Sequence, residues 1–384
     1  MPLSKIPLYL HIPFCRKKCA YCDFYSVAYN QGLAQGYIEV LISQIEYFKK
    51  EYLFSTVYIG GGTPSVLTED LLAKLLKSLD LKSTQEVSLE ANPESLTERK
   101  LKLLLDLGVN RLSIGVQSFE DKVLRFLQRA HSSHQAVKAI ELAQKVGFKN
   151  INIDLIYAVP NKDFKLWKKE LKLAVNLPIT HISLYSLSYE EGTPLFFKLK
   201  NKEFTPLNSE EEAEMYKYAL DFLEKKEFYQ YEVSNFSKRG YQCKHNLSYW
   251  SNSPYLGLGA SAVSYIKGVR KKYIDDVYEY IAKVRPEKGV FIEEESLNPL
   301  QRAKETAVLN IRRRRGINFA EFKKDTGFDF LEIEDKAFLE ELLKRKLVAL
   351  KRKNSQVYGL RLTKKNLHSD FNYWNNRNFG RRLF

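Results

Sequence analysis

Cysteine is scarce in this chain. There are four in 384 residues, too few and too unevenly placed for a disulfide framework. Long apolar runs are also absent: none approaches the roughly eighteen residues that a membrane-spanning helix needs. The opening stretch Met1–Ile12 holds prolines and a histidine but no long apolar core, so it does not read as a signal peptide. Free thiols without a secretion signal lead to the expectation of a reducing cytoplasm. The glycine-rich turn at residues 60–62 is not followed by Gly-Lys-Ser/Thr, which disfavours a nucleotide P-loop. What remains is a soluble globular composition, 44% hydrophobic and 28% charged, long enough for two or three domains. The net charge of +15 suits anionic small molecules, acidic partners or a membrane surface. The excess is spread, with dense spots at Arg312–Arg315, Lys351–Lys353 and Arg381–Arg382. Such runs read first as solvated faces, and no recognisable RNA module accompanies them, so nucleic acid is not expected.

Three of the four cysteines share one loop, Cys15-Arg-Lys-Lys-Cys19-Ala-Tyr-Cys22, directly after the apolar run Ile6–Ile12. Each thiolate of such a loop is able to bind one iron of a four-iron, four-sulfur (4Fe-4S) cluster, leaving the fourth iron open. A structural zinc site is the other reading, with Cys243 or His245 as fourth ligand. The flanking cations favour metal-binding thiolates over inert buried thiols.

The first 230 residues alternate β-rich runs with helical periodicity. Strands are expected at residues 8–12, 56–59, 86–91, 111–116, 150–157 and 181–187. Helices follow, one capped by Thr68, one starting near Thr97 and stopping at Gly108, and one over residues 163–175. Ser209 with Glu212 reads as a capping box for a further helix. Repeated βα units give a parallel sheet with right-handed crossovers. Six units are too few to close an eight-stranded barrel, so the expected fold is α/β, a partial (β/α)6 TIM-like barrel. Function in such sheets collects at the carboxyl ends of the strands.

Unusual residues do collect there. The cysteine loop follows strand one, and Gly60-Gly-Gly-Thr-Pro64 follows strand two, where glycine lets a ligand approach the backbone. Strand three ends with Glu90-Ala-Asn92-Pro93, strand four with Gln117-Ser118, and strand five carries Asp154; Arg129 and His131 lie downstream. Taken singly, each reads as a solvated or salt-bridged residue. Gathered on one rim, they suit a polar, zwitterionic small ligand, with carboxylates for hydroxyl or ammonium groups and an arginine for a carboxylate.

These motifs (CxxxCxxC, GGTP, Leu89-Glu-Ala-Asn-Pro93, Gly115–Ser118 and Asp154-Leu-Ile-Tyr157) resemble the radical S-adenosylmethionine (SAM) superfamily. Within it, nearly the whole chain resembles the coproporphyrinogen-dehydrogenase-like group, and most of all its HemW-type haem chaperones. The resemblance implies that Cys15, Cys19 and Cys22 bind the 4Fe-4S cluster, with SAM chelating the open iron. It implies that Gly61, Gly62 and Thr63 receive the methionine amino group and that Arg129 clamps the carboxylate. Glu90 and Gln117 match ribose contacts, and Tyr9, Tyr21, Asp154 and Ile156 match positions lining the cofactor pocket.

The oxygen-independent coproporphyrinogen III oxidases resemble the chain too. They carry an extra cysteine two residues after the third, where this chain has Phe24, and they extend further before strand one. Both departures favour the haem-chaperone branch, although an oxidoreductase of the coproporphyrinogen-dehydrogenase type stays the alternative. His245-Asn-Leu-Ser-Tyr-Trp250 matches that branch's HNxxYW signature. A histidine is a known axial ligand of haem iron and aromatic rings pack on porphyrin faces, so His245 is the candidate haem ligand. A hydrogen-bonded structural histidine beside a core tryptophan is the plainer reading. The family's second histidine, after a glycine-rich stretch, is replaced here by Val263. Cys243 is an alternative ligand or a small buried residue.

The resemblance thus implies haem as ligand and recipient haem proteins as partners, membrane-associated ones among them. Four segments are expected: a barrel over 1–230, a connecting segment over 231–290 with the HNxxYW motif, a winged-helix-like α+β domain over 291–370, and a tail over 371–384. Helices at 301–311, 319–324 and 332–344 with a hairpin of 348–351 and 357–360 make up the third segment, read as a lid or partner surface.

Overall fold

The computed structural model describes residues 3–160, 162–353 and 356–363; the tail expected at 371–384 lies outside them. The chain divides into two compact units, one of residues 1–208 and 254–295, the other of 209–253 and 296–384. This division cuts the connecting segment in two. Its HNxxYW part falls in the second unit, whereas the glycine-rich stretch that follows joins the barrel.

The first unit is built on a parallel sheet. Its strands are β1 (Ser4–Ile12), β2 (Tyr52–Gly61), β3 (Glu86–Ala91), β4 (Arg111–Gln117), β5 (Asn150–Tyr157), β6 (His181–Ser186) and β7 (Leu256–Leu258). Strands β1 to β6 pair in sequence order, and β7 pairs with the outer side of β1. The helices between them include α1 (Gln31–Phe48), α2 (Glu69–Ser78), α3 (Glu98–Asp106), α4 (Asp121–Phe126), α5 (Ser133–Val146) and α6 (Phe164–Asn176). Thr68, Thr97 and Asp163 cap α2, α3 and α6 through their side-chain oxygens, and Gly108 ends α3's turn at a φ of 94°. The architecture is the α/β, TIM-like partial barrel expected from the six βα units. Strand β7 was not read from the sequence, because three residues carry too little periodicity.

β7 explains the glycine-rich stretch. A Cβ at Gly257 would meet the Val263 carbonyl oxygen at 2.0 Å, and one at Gly259 would meet the His11 carbonyl oxygen at 2.6 Å. The Tyr37 hydroxyl donates to His11 O (2.7 Å) and accepts from Ala260 N (2.8 Å), so this stretch is stitched to β1. Val263 begins a separate antiparallel sheet of residues 263–266, 269–273 and 291–296.

Alternation along the strands decides the site. Leu8, Leu10, Val57, Ile59, Val87, Leu89, Leu112, Ile114, Ile151 and Ile153 are buried on one face of the sheet, where helices pack. The intervening residues occupy the other face. There Glu86, Ser88, Arg111, Ser113, Asn152, His181 and Ser183 are buried polar groups. Asn152 links several of them: it donates to Ser113 Oγ (2.7 Å) and accepts from Ser183 Oγ (3.2 Å), and its Oδ1 lies 2.5 Å from His181 Nδ1. Burial, then the nearby Arg111, holds His181 well below the usual histidine range, so the ring is neutral.

The second unit contains helix Ser209–Lys225, a hairpin of Tyr229–Gln230 and Asn235–Ser237, and helix Lys244–Trp250. Ser209 starts its helix and so lies in the first turn, not at the cap position assigned to it above. Helices Pro299–Ile311, Phe319–Thr326, Phe330–Ile333 and Lys336–Lys344 enclose a core that includes Ile311, Phe322, Phe330 and Leu342. The single helix expected over 332–344 breaks at Asp335, whose carboxylate caps Ala337 N (2.9 Å) and Phe338 N (3.2 Å). Ile317–Asn318, Gln356–Leu362 and Val348–Lys353 form an antiparallel three-stranded sheet, completing a winged-helix-like layout.

Candidate functional site

The cysteine loop leaves β1 and is tied down at several points. Ala20 N donates to Leu127 O (3.2 Å) and Leu195 N donates to Ala20 O (2.9 Å), while Ala20 packs with Leu127, Ile156 and Leu195. Tyr21 rests against that same cluster. Two of the expected residues, Tyr21 and Ile156, therefore meet through a small apolar core. All three loop cysteines are free thiols, partly exposed; Cys243 is buried in the second unit and is not one of this group.

A chain of hydrogen bonds joins two of the thiols. Cys15 Sγ lies 3.5 Å from Thr63 Oγ1, which accepts from Asn92 Nδ2 at 3.0 Å. Asn92 Oδ1 accepts from Arg129 Nη2 at 2.6 Å, and Arg129 Nη1 donates to Cys19 Sγ at 3.2 Å. Arg129 also donates to Gly115 O at 2.8 Å. Burial disfavours the charge on Arg129, but Tyr21, Cys19 and Glu94 around it more than offset this, and the guanidinium stays charged. Burial pushes the Cys22 thiol up to about 11 and raises that of Cys15 as well. Metal binding here must displace those protons.

Glu90 stands beside the glycine turn. Its carboxylate accepts from the Tyr58 hydroxyl (2.8 Å) and from Gly61 N (3.2 Å). Burial raises its pKa to about 7, with help from Asp154, against the two hydrogen bonds. Asp154, raised by burial, accepts from Asn152 Nδ2 at 2.8 Å. Tyr9 stacks 6.3 Å from Tyr58 and its hydroxyl is 3.0 Å from His11 Nδ1. Gln117 ends β4 with a φ of 65°, a left-handed conformation uncommon for this residue and often found at functional sites. The glycines are required by contact: a Cβ at Gly62 would lie 2.8 Å from Phe14 O, and one at Gly61 would lie 2.7 Å from the His11 ring.

Sequence reasoning missed His11, Asn152 and Ser183. His11 sits under Gly61 and is pushed down to about 4 by burial. The signal that would have found them is the two-residue alternation of polar groups along β1, β5 and β6, which the strand assignments did not follow.

His245 belongs to the second unit. Its ring is 0% exposed, and Nε2 is 2.9 Å from the Tyr249 hydroxyl one turn later. Arg312 stacks over the Trp250 ring at 4.5 Å. The structural-histidine reading thus describes this arrangement, and ligation of any metal by His245 Nε2 requires Tyr249 to move away.

The residues fit a cluster and its cofactor. The donor set is three free thiols on one loop, beside a turn without room for side chains and a buried cation. Among the described residues, no three His, Cys, Asp or Glu side chains gather round a point that would hold a single ion. A cubane needs no such point, since it takes each thiolate at a separate iron.

Residues 9–174 match the radical SAM superfamily, which implies a 4Fe-4S cluster and SAM. Two similar proteins are a heme chaperone HemW of Lactococcus lactis, 38% identical over 88% of this chain and 90% of that one, and a heme chaperone HemW of Bacillus subtilis, 36% identical over 83% and 86%. A solved structure, coproporphyrinogen III oxidase (HemN) of Escherichia coli, superposes with a TM-score of 0.80 at 21% identity, covering 95% of this chain and 88% of that one; this likeness shows the fold. The chain belongs to the HemW family of radical SAM proteins.

Proposed function

We propose that this protein is a radical SAM-type haem chaperone, which takes up haem and passes it to respiratory haem proteins in the cytoplasm or at the membrane surface. The observation that carries the reading is 38% identity across 90% of a protein named for that activity. Phe24, 65% exposed beside Cys22, adds to it, because the oxidases have a cysteine at that position.

Cys15, Cys19 and Cys22 would hold the cluster, while Gly61, Gly62, Thr63 and Arg129 would receive the amino and carboxylate groups of SAM. When bound, the cluster and SAM together supply one-electron reductive cleavage of a sulfonium. The protein's part is to orient both and exclude water. In this reading Glu90 and Gln117 contact the ribose, and Asp154, Tyr9, Tyr21 and Ile156 line the cofactor pocket. His245 is the proposed haem ligand, released from Tyr249 when haem arrives. The net charge of +15 suits haem propionates and acidic or membrane-associated recipients. No described helix is long and apolar enough to cross a membrane.

The test is anaerobic. The cluster is reconstituted, SAM, a reductant and coproporphyrinogen III are added, and mass spectrometry follows loss of carbon dioxide. The chaperone reading expects no decarboxylated product, together with saturable haem binding. Product formation would make the protein an oxidase.

A further inference from the structure

Away from the thiols, the interior holds a charge pair that the reading above leaves without a role. Lys162 Nζ and Glu170 Oε2 are 2.5 Å apart, and neither side chain has meaningful contact with solvent. Lys162 Nζ also donates to Ile156 O at 2.7 Å. The other carboxylate oxygen of Glu170 accepts from Ser118 Oγ and, at 2.7 Å, from Phe119 N. Glu170 lies on α6, and Lys162, in the loop just before it, lies 5.0 Å from the buried Trp167 ring of the same helix.

The partners of this pair are the informative part. Ile156 is on β5 at the rim. Ser118 and Phe119 immediately follow Gln117, where β4 leaves its register with β5 and the backbone turns left-handed. One carboxylate and one ammonium therefore fasten the ends of two neighbouring strands to a single helix. A left-handed glutamine persists only where its surroundings hold it, and Glu170 holds the next two residues. Two apolar side chains would fill the same space at no greater cost than a buried ion pair. What they would not do is fix the Ile156 carbonyl and the Ser118–Phe119 turn.

We propose that Lys162, Glu170 and Ser118 are positioning residues for SAM: they set Gln117, the ribose contact, and Ile156, which lines the pocket, in the geometry that receives the cofactor. The inference rests on the reading of the first unit as a SAM site. None of the three is among the residues assigned to the cofactor; they act through the residues on either side of the rim.

The experiment uses the full chain, reconstituted anaerobically, with the double variant Lys162→Met/Glu170→Leu and the single variant Ser118→Ala. Three quantities are read: iron per chain, thermal midpoint, and SAM affinity from the change it causes in the electron paramagnetic resonance of the reduced cluster. The double variant should keep its iron and its midpoint but bind SAM at least tenfold more weakly, and Ser118→Ala should weaken binding severalfold. A merely structural pair would shift the midpoint and leave affinity alone. Unchanged affinity in folded, iron-loaded variants overturns the inference. If the double variant does not fold, Ser118→Ala decides by the same criterion. A wild-type chain that loads iron yet fails to bind SAM would instead overturn the cofactor reading itself.

Discussion

Glu90 makes the protein less stable as pH rises, and the size of the effect follows from its surroundings. Burial raises its pKa from 4.5 to about 7. In the unfolded chain the group ionises near its ordinary value, so between those two pH values the folded state holds a proton that the unfolded state has lost. Stability then falls with rising pH by about 1.4 kcal/mol per unit for one proton. The full shift corresponds to about 3 kcal/mol; the carboxyl is partly open to the rim, so about 2 kcal/mol is the better expectation. Glu90→Gln removes the titration while keeping an acceptor for Tyr58 or Gly61. Urea unfolding of the cluster-free protein at half-unit steps from pH 4.5 to 8 measures it. The variant should gain on the wild type steadily up to pH 7 and hold its advantage above. A stability difference that is flat across this window would refute the argument, because the loss of a hydrogen bond alone has no such pH dependence.

Three further outcomes are expected. Serine at Cys15, Cys19 or Cys22 should abolish retention of iron after reconstitution, while Cys243→Ser, in the other unit, should leave iron per chain unchanged. Gly62→Ala places a methyl 2.8 Å from Phe14 O and should cost about 1–3 kcal/mol through overpacking, read as a lower denaturation midpoint. Tyr249→Phe removes the hydroxyl 2.9 Å from His245 Nε2; if His245 ligates haem, a spectroscopic titration should show tighter binding than wild type, whereas His245→Ala should weaken it.

Much of this protein was legible in its sequence. The six βα units, the cap Thr68 and the loop of three thiols are local patterns, and local steric and hydrogen-bonding rules govern them. The placement of Gly60–Thr63, Glu90 and Gln117 at strand ends follows from the same alternation, since a parallel sheet brings all its carboxyl ends to one side. The winged-helix-like layout of the C-terminal residues was likewise readable, except for the break at Asp335 and the short strand Ile317–Asn318.

What only the tertiary structure decided are the connections between groups far apart in the chain. Nothing local says that Arg129 reaches Cys19, that Asn92 joins Thr63 to Arg129, or that Lys162 and Glu170 bind the ends of β4 and β5. The same holds for Gly257, whose lack of a side chain matters only because Val263 folds back to within 2.0 Å of where a Cβ would be. His245 is the sharpest case. The resemblance to the HNxxYW signature makes it the candidate haem ligand, yet its Nε2 faces the Tyr249 hydroxyl in a closed interior. Residue type and spacing settle which chemistry is possible; burial and the partner across the turn settle which atoms are available for it.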